Sequence, residues 1–315
     1  MPSVRHGWQS SMGPMWCPTA ITMPGLLAMA DAAGLLEIVG QPFMQRALLG
    51  GLLTGTLGGL LGSFAVLRQL SFFSDALGHS ALLGISLGIL LGVNPTLVLI
   101  PFAVLFALLV NQLVARSGLP ADALLNIVYS TSLAFAVVAL SLVETYRGGI
   151  QQLLFGDILG ISWSDLVVIG LLLLGALGYL ALSLRAQVLL TLNSDLAGAF
   201  GVGANRHRLA FIVLLAVVVA VSIKAVGVLL ISAFVVIPAC GGRLVSRHFP
   251  LYALISASLG GGCALLGLLG SGLTNLPSGP CVVIVQFAGF LLALAVSQTT
   301  RRSFADAGPA GVLNY

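Results

Sequence analysis

Charge is what this 315-residue sequence has least of: 22 Asp, Glu, Lys and Arg side chains, 7% of the chain, where a soluble domain carries about 25%. So few charges cannot keep a water-facing surface wet, which excludes a soluble globular enzyme. They also supply no basic face of the kind that tracks nucleic acid. Lysine is scarcer still, with Lys224 alone beside twelve arginines. Ile223 precedes that lysine, so no Gly-x-x-x-x-Gly-Lys-[Ser/Thr] loop exists to cradle a phosphate. If ATP drives this protein, another subunit must hold the nucleotide. Cysteine is sparse too. Cys17, Cys240, Cys263 and Cys281 form no Cys-x-x-Cys pair and no Cys/His cluster at metal-ligand spacing, and inside apolar segments they read as packing residues.

What is abundant is apolar surface: 58% hydrophobic residues, 39 glycines and a mean hydropathy of +1.11. That composition excludes a disordered chain and predicts an all-α polytopic membrane bundle. A bilayer core needs about 20 apolar residues in helix, and charge-free stretches of that length recur. Residues 47–67, 123–143 and 166–184 are each one span. Residues 80–115 are too long for one and break at Val93-Asn94-Pro95, because proline disfavours helix at the residue before it. Residues 249–300 break at Asn275-Leu276-Pro277-Ser278-Gly279-Pro280, and 209–223 and 225–242 flank Lys224. The total is about 8–9 membrane segments.

Arginine placement sets the orientation. With Arg68, Arg116, Arg185, Arg206 and Arg208 cytoplasmic, the first five spans alternate correctly if residue 47 starts outside. Reading 209–242 as a short hairpin or re-entrant pair turning near Lys224 also brings Arg243, Arg247, Arg301 and Arg302 inside, and leaves Arg147 and Lys224 outside. Residues 43–300 form the membrane domain, followed by a tail at 301–315. Residues 1–42 are an N-terminal extension: a poor signal peptide, an interfacial helix, or sequence ahead of a true start at Met23 or Met29. Gly51/Gly55/Gly59, Gly58/Gly62 and Gly84/Gly88/Gly92 are small-xxx-small series, which let helix backbones approach closely in lipid.

An ionisable group inside a membrane is a functional hypothesis by default. Asp75 and His79 are four apart and share one helix face. A carboxylate and an imidazole together suit zinc, manganese or iron(II), and two ligands suit a site the ion must leave. The plain alternative is a helix-start aspartate beside an interfacial histidine. No third ligand or general base stands near His79 in sequence, so an intramembrane metalloenzyme lacks its constellation. Glu144, Asp157 and Asp165 read as solvated outer acids, Lys224 as a snorkelling amine, and Asp122 as a helix cap. Residues 193–208 form a polar cytoplasmic insert, a short helix followed by a basic anchor. It is suited to docking in a partner's groove or to serving as an ordinary connector.

Six stretches, in order, resemble the permease subunits of ABC importers for zinc, manganese and iron. They are residues 47–68; the motif Phe73-Ser74-Asp75-Ala76-Leu77-Gly78-His79-Ser80-Ala81-Leu82-Leu83-Gly84; Leu154-Phe155-Gly156-Asp157-Ile158-Leu159; Asp195-Leu196-Ala197 with Gly201; residues 226–239; and Leu276-Pro277-Ser278-Gly279. The sequence departs from that family at Cys240-Gly241-Gly242 and in its long front. The resemblance implies a permease dimer, of identical or closely related copies, in the cytoplasmic (inner) membrane. Two ATP-binding cassette ATPases would sit on its cytoplasmic face and a metal-loaded solute-binding protein on its outer face, with no resident cofactor and no nucleic acid. It implies that Asp75 and His79 are ion-path ligands, and that Asp195, Leu196, Ala197, Gly198 and Gly201 belong to the segment seated in the ATPase. A self-sufficient secondary metal transporter or channel is the alternative, weakened by the absence of a clear inverted repeat.

Overall fold

The computed structural model describes residues 39–142, 156–192, 203–228 and 230–306. The coupling segment at 193–202, Glu144, Arg147, most of the N-terminal extension and the end of the C-terminal tail lie outside the described residues. Among the described residues there are nine helices and no strand: α1 Pro42–Leu67, α2 Phe73–Leu90, α3 Pro95–Ser117, α4 Ala121–Ser141, α5 Trp163–Leu192, α6 Ala204–Val226, α7 Ile231–Val245, α8 Phe249–Thr274 and α9 Ser278–Asp306. All but α7 are long and apolar enough to cross a membrane.

Each predicted break is a residue that cannot continue a helix. α2 stops before Gly92 (φ +66°), and Pro95 opens α3, where its missing N–H costs nothing. α8 ends on Asn275 (φ +53°), one of the few side chains tolerant of that conformation. The hairpin at 209–242 is present as α6 and α7. The first arm runs three residues past Lys224 to Gly227, whose φ of +90° ends it. Asp122 differs from expectation: it lies within the first turn of α4 and makes no side-chain cap, so its contribution is charge beside the helix dipole.

α1 is the centre of the bundle. Its most apolar 18-residue window is 72% buried, against 22% for α9. Two glycine stripes explain why. Gly55 and Gly59 face α8, where a Cβ would collide with the carbonyls of Gly260 and Ser256; Gly58 and Gly62 face α7, against the carbonyls of Phe234 and Val235. The Phe234 carbonyl is one that Pro238 deprives of its helical N–H partner, and a Cβ on Gly58 would stand 2.7 Å from it. The third glycine series divides: Gly84 receives the Phe102 ring of α3, whereas Gly92 is a turn residue with open space around it.

Candidate functional site

α2 presents one incompletely covered stripe, Phe72, Asp75, His79, Leu83, Leu87 and Leu90, while Ser74, Ala76, Leu77, Gly78 and Ser80 are buried. Asp75 sits in the first turn, where a carboxylate complements the helix dipole, and His79 follows one turn later. His79 Nε2 lies 3.9 Å from Asp75 Oδ1, with the side chains 20% and 28% exposed. Two metal–ligand bonds of about 2.1 Å at a tetrahedral angle place their donor atoms roughly 3.4 Å apart. A closure of about half an ångström would therefore let one ion bridge the pair. Among the described residues no group of three or more His, Cys, Asp or Glu is placed to hold a metal; the pair is half a coordination shell.

Its surroundings are aromatic and close-packed. The Tyr129 ring of α4 lies 5.2 Å from the His79 ring, tilted by 35°, and Phe72 meets Tyr129 edge-on at 6.2 Å. Between the two polar residues, a Cβ on Gly78 would stand 3.1 Å from the Val228 carbonyl oxygen and 3.2 Å from Ile231 Cγ2. The pair thus lies level with the α6–α7 turn. Sequence reasoning missed Tyr129; its signal was the polar run Asn126, Tyr129, Ser130, Ser132 in an otherwise apolar span.

Of the predicted outer acids, Asp165 and Asp157 are not simply solvated. Asp165 accepts from Lys224 Nζ at 2.8 Å through both oxygens, and from the Ser162 N–H (3.1 Å) and hydroxyl (2.6 Å). Ser162 in turn accepts the Asp165 N–H at 3.3 Å. That reciprocal arrangement is a capping box at the start of α5, legible beforehand as Ser-x-x-Asp ahead of an apolar run. Asp157 accepts the Gly160 N–H at 2.9 Å, and its own N–H reaches the Lys224 carbonyl at 3.4 Å. A side chain on Gly156, at φ +72°, would collide with Val226 and Gly227. The segment entering α5 is therefore fitted against the end of α6.

At the other end, Arg68 is drawn into the bundle. Nη2 donates to the Gln187 carbonyl at 3.1 Å and to Gln187 Oε1, and the guanidinium lies 4.6 Å from the centre of the Phe211 ring. Burial pushes its pKa down to about 10, which leaves it charged at neutral pH. Gln187 Nε2 donates to Tyr179 Oη at 2.6 Å, and Tyr179 donates to the His207 carbonyl at 3.2 Å. Gly84-Ile85-Ser86-Leu87-Gly88 has the spacing of a hydrolase nucleophile elbow. Ser86 is mid-helix in α2 with its hydroxyl donating to the Leu83 carbonyl at 2.8 Å, so it is a packing residue.

Among the described residues, a helical bundle with eight helices long and apolar enough to cross a membrane, and an acid–imidazole pair on an open stripe of α2, has the architecture of a transport permease. The chain belongs to the ABC 3 transport family, whose model matches residues 40–297. It is 32% identical over 251 residues to the high-affinity zinc uptake system membrane protein ZnuB of Haemophilus influenzae, covering 79% of this chain and 95% of that one. It is 29% identical over 262 residues to the manganese import system permease protein ScaB of Streptococcus gordonii, covering 82% and 93%. Among solved structures, PsaBC from Streptococcus pneumoniae in complex with Fab shares the fold. The TM-score is 0.73 at 24% identity, covering 84% of this chain and 95% of that one.

Proposed function

We propose that this chain is the membrane-spanning subunit of an ATP-driven importer of a divalent transition-metal ion, with Asp75 and His79 lining the ion path. The observation that carries the reading is the partly exposed Asp75–His79 pair, 3.9 Å apart on the open stripe of α2. The zinc and manganese systems named for its relatives support the ion class. Two ligands hold such an ion weakly. A second permease copy over the same stripe would raise the set to four, enough for a closed tetrahedral shell, and parting the copies would release the ion. Alternating access is then the making and breaking of that shell. Two ATPases on the cytoplasmic face of the inner membrane drive the cycle through Asp195, Leu196, Ala197, Gly198 and Gly201, and a metal-loaded solute-binding protein delivers to the outer face. Irving–Williams affinities leave the choice among zinc, manganese and iron to geometry and delivery.

The test is metal uptake by cells carrying the transporter with Asp75→Ala or His79→Ala, with membrane levels checked. Each substitution is expected to lower uptake at least tenfold; unchanged uptake in both removes the pair from the path. Transport by the purified chain alone in liposomes, without ATPase, would overturn the ATP-driven reading.

A further inference from the structure

A cavity of about 370 Å³ lies where the end of α1, the second half of α3, the end of α5 and the start of α6 meet. Arg68, Asn111 and Arg208 line it on the polar side, and Leu70, Val114 and Ile212 on the apolar side. Its depth follows from the chain. Arg68 closes α1, Arg116 lies in the last turn of α3, and Arg208 lies in the first two turns of α6, all at the predicted cytoplasmic boundary. α5, about 45 Å long by its rise per residue, outreaches the roughly 30 Å hydrocarbon core.

Two full positive charges line this space, and among the described residues only neutral oxygens answer them. Arg208 donates through Nε to Asn111 Oδ1 at 3.2 Å and through Nη2 to Asn205 Oδ1 at 3.4 Å. Arg68 donates through Nη2 to the carbonyl and amide oxygens of Gln187, while its Nε is buried with no acceptor among the described residues. Neither arginine has an ion pair with a carboxylate among the described residues. Guanidinium forks match a phosphate's oxygens, and a basic pocket between helices on the cytoplasmic side is the form an anionic headgroup site takes. The apolar wall beneath the charges suits an amphiphile, and the volume falls at the small end of ligand sites, about 300–1,000 Å³. That leaves room for a phosphate, its glycerol and the start of one acyl chain.

We propose that this cavity binds the phosphodiester headgroup of an anionic phospholipid of the cytoplasmic leaflet, between Arg68 and Arg208, with an acyl chain entering along Leu70, Val114 and Ile212. The site is independent of the metal pathway and is tested without transport. The purified full chain is placed in phosphatidylcholine nanodiscs containing increasing phosphatidylglycerol, and thermal melting and retained lipid by native mass spectrometry are followed. Phosphatidylglycerol is expected to raise the melting temperature saturably. Arg208→Gln, and independently the cavity-filling Val114→Trp, are expected to weaken the apparent affinity at least tenfold. Arg185→Gln, an exposed cation elsewhere on α5, is expected to leave it unchanged. Melting in phosphatidylcholine alone separates a folding defect from lost binding. Equal phosphatidylglycerol binding by a folded Arg208→Gln protein would overturn the proposal. So would saturation of the same stabilisation by inorganic phosphate without anionic lipid, which would assign the cradle to a soluble anion.

Discussion

Lys224 and Asp165, 59 residues apart in the chain, meet with Nζ 2.8 Å from both carboxylate oxygens. The contact ties the end of α6 to the start of α5 at the predicted outer face. With the Lys224 side chain 51% exposed, water screens the pair.

The carboxylate does more than the amine. Lys224→Met removes an exposed ion pair worth about 1 kcal/mol or less. Asp165→Ala removes that pair and also the N3 half of the capping box with Ser162, a further loss of about 1 kcal/mol. Asp165→Ala is therefore expected to lower the melting temperature in detergent clearly more than Lys224→Met. Equal shifts would mean that the cap contributes nothing.

Glycines divide by what surrounds them. Gly59→Ala puts a methyl into the Ser256 carbonyl of α8, and overpacking of this kind costs about 1–3 kcal/mol. Gly178→Ala adds a methyl where nothing lies within 4 Å, and alanine favours helix over glycine by about 1 kcal/mol. Thermal melting should fall for the first and hold or rise for the second. A neutral Gly59→Ala would contradict the close α1–α8 approach.

The buried polar chain at the inner end should grade by charge. Gln187→Leu takes an acceptor from the Arg68 guanidinium and is expected to cost about 2–3 kcal/mol, in the range for hydrogen bonds to charged groups. Tyr179→Phe removes bonds between neutral partners and should cost nearer 1 kcal/mol. Chemical denaturation of the two variants checks the order, and the reverse order would show that Arg68 relies little on Gln187.

The spans and their breaks were legible because Pro95, Asn275 and Pro277 act locally, through a missing N–H or a left-handed φ. The hairpin was legible because arginine placement required an extra crossing, and the chain turns at Gly227, just past Lys224. Lateral contacts were not, since they depend on which helices become neighbours. Arg68 reads as a boundary cation, yet it is drawn onto Gln187 and Phe211, 119 and 143 positions away in the numbering. Asp165 reads as a solvated acid until its cap and Lys224 are placed around it. The Asp75–His79 pair was visible from i,i+4 spacing, whereas Tyr129 beside it belongs to another helix whose register no local pattern reveals.

Tyr129 carries the sharpest prediction for the candidate ion path. Its ring lies 5.2 Å from that of His79, tilted by 35°, and is itself braced by Phe72. A ligand imidazole gains affinity from being held in its binding orientation, and loss of such outer support typically costs about 10–100-fold. Tyr129→Phe keeps the ring and should retain most metal uptake. Tyr129→Ala opens the space against which His79 rests and should lower uptake by roughly tenfold, at unchanged membrane level. A merely structural role would instead show as lost protein or a lower melting temperature without metal. Measured in parallel, full uptake by Tyr129→Ala would show that His79 needs no aromatic wall, and equal loss in Tyr129→Phe would transfer the role from the ring face to the hydroxyl.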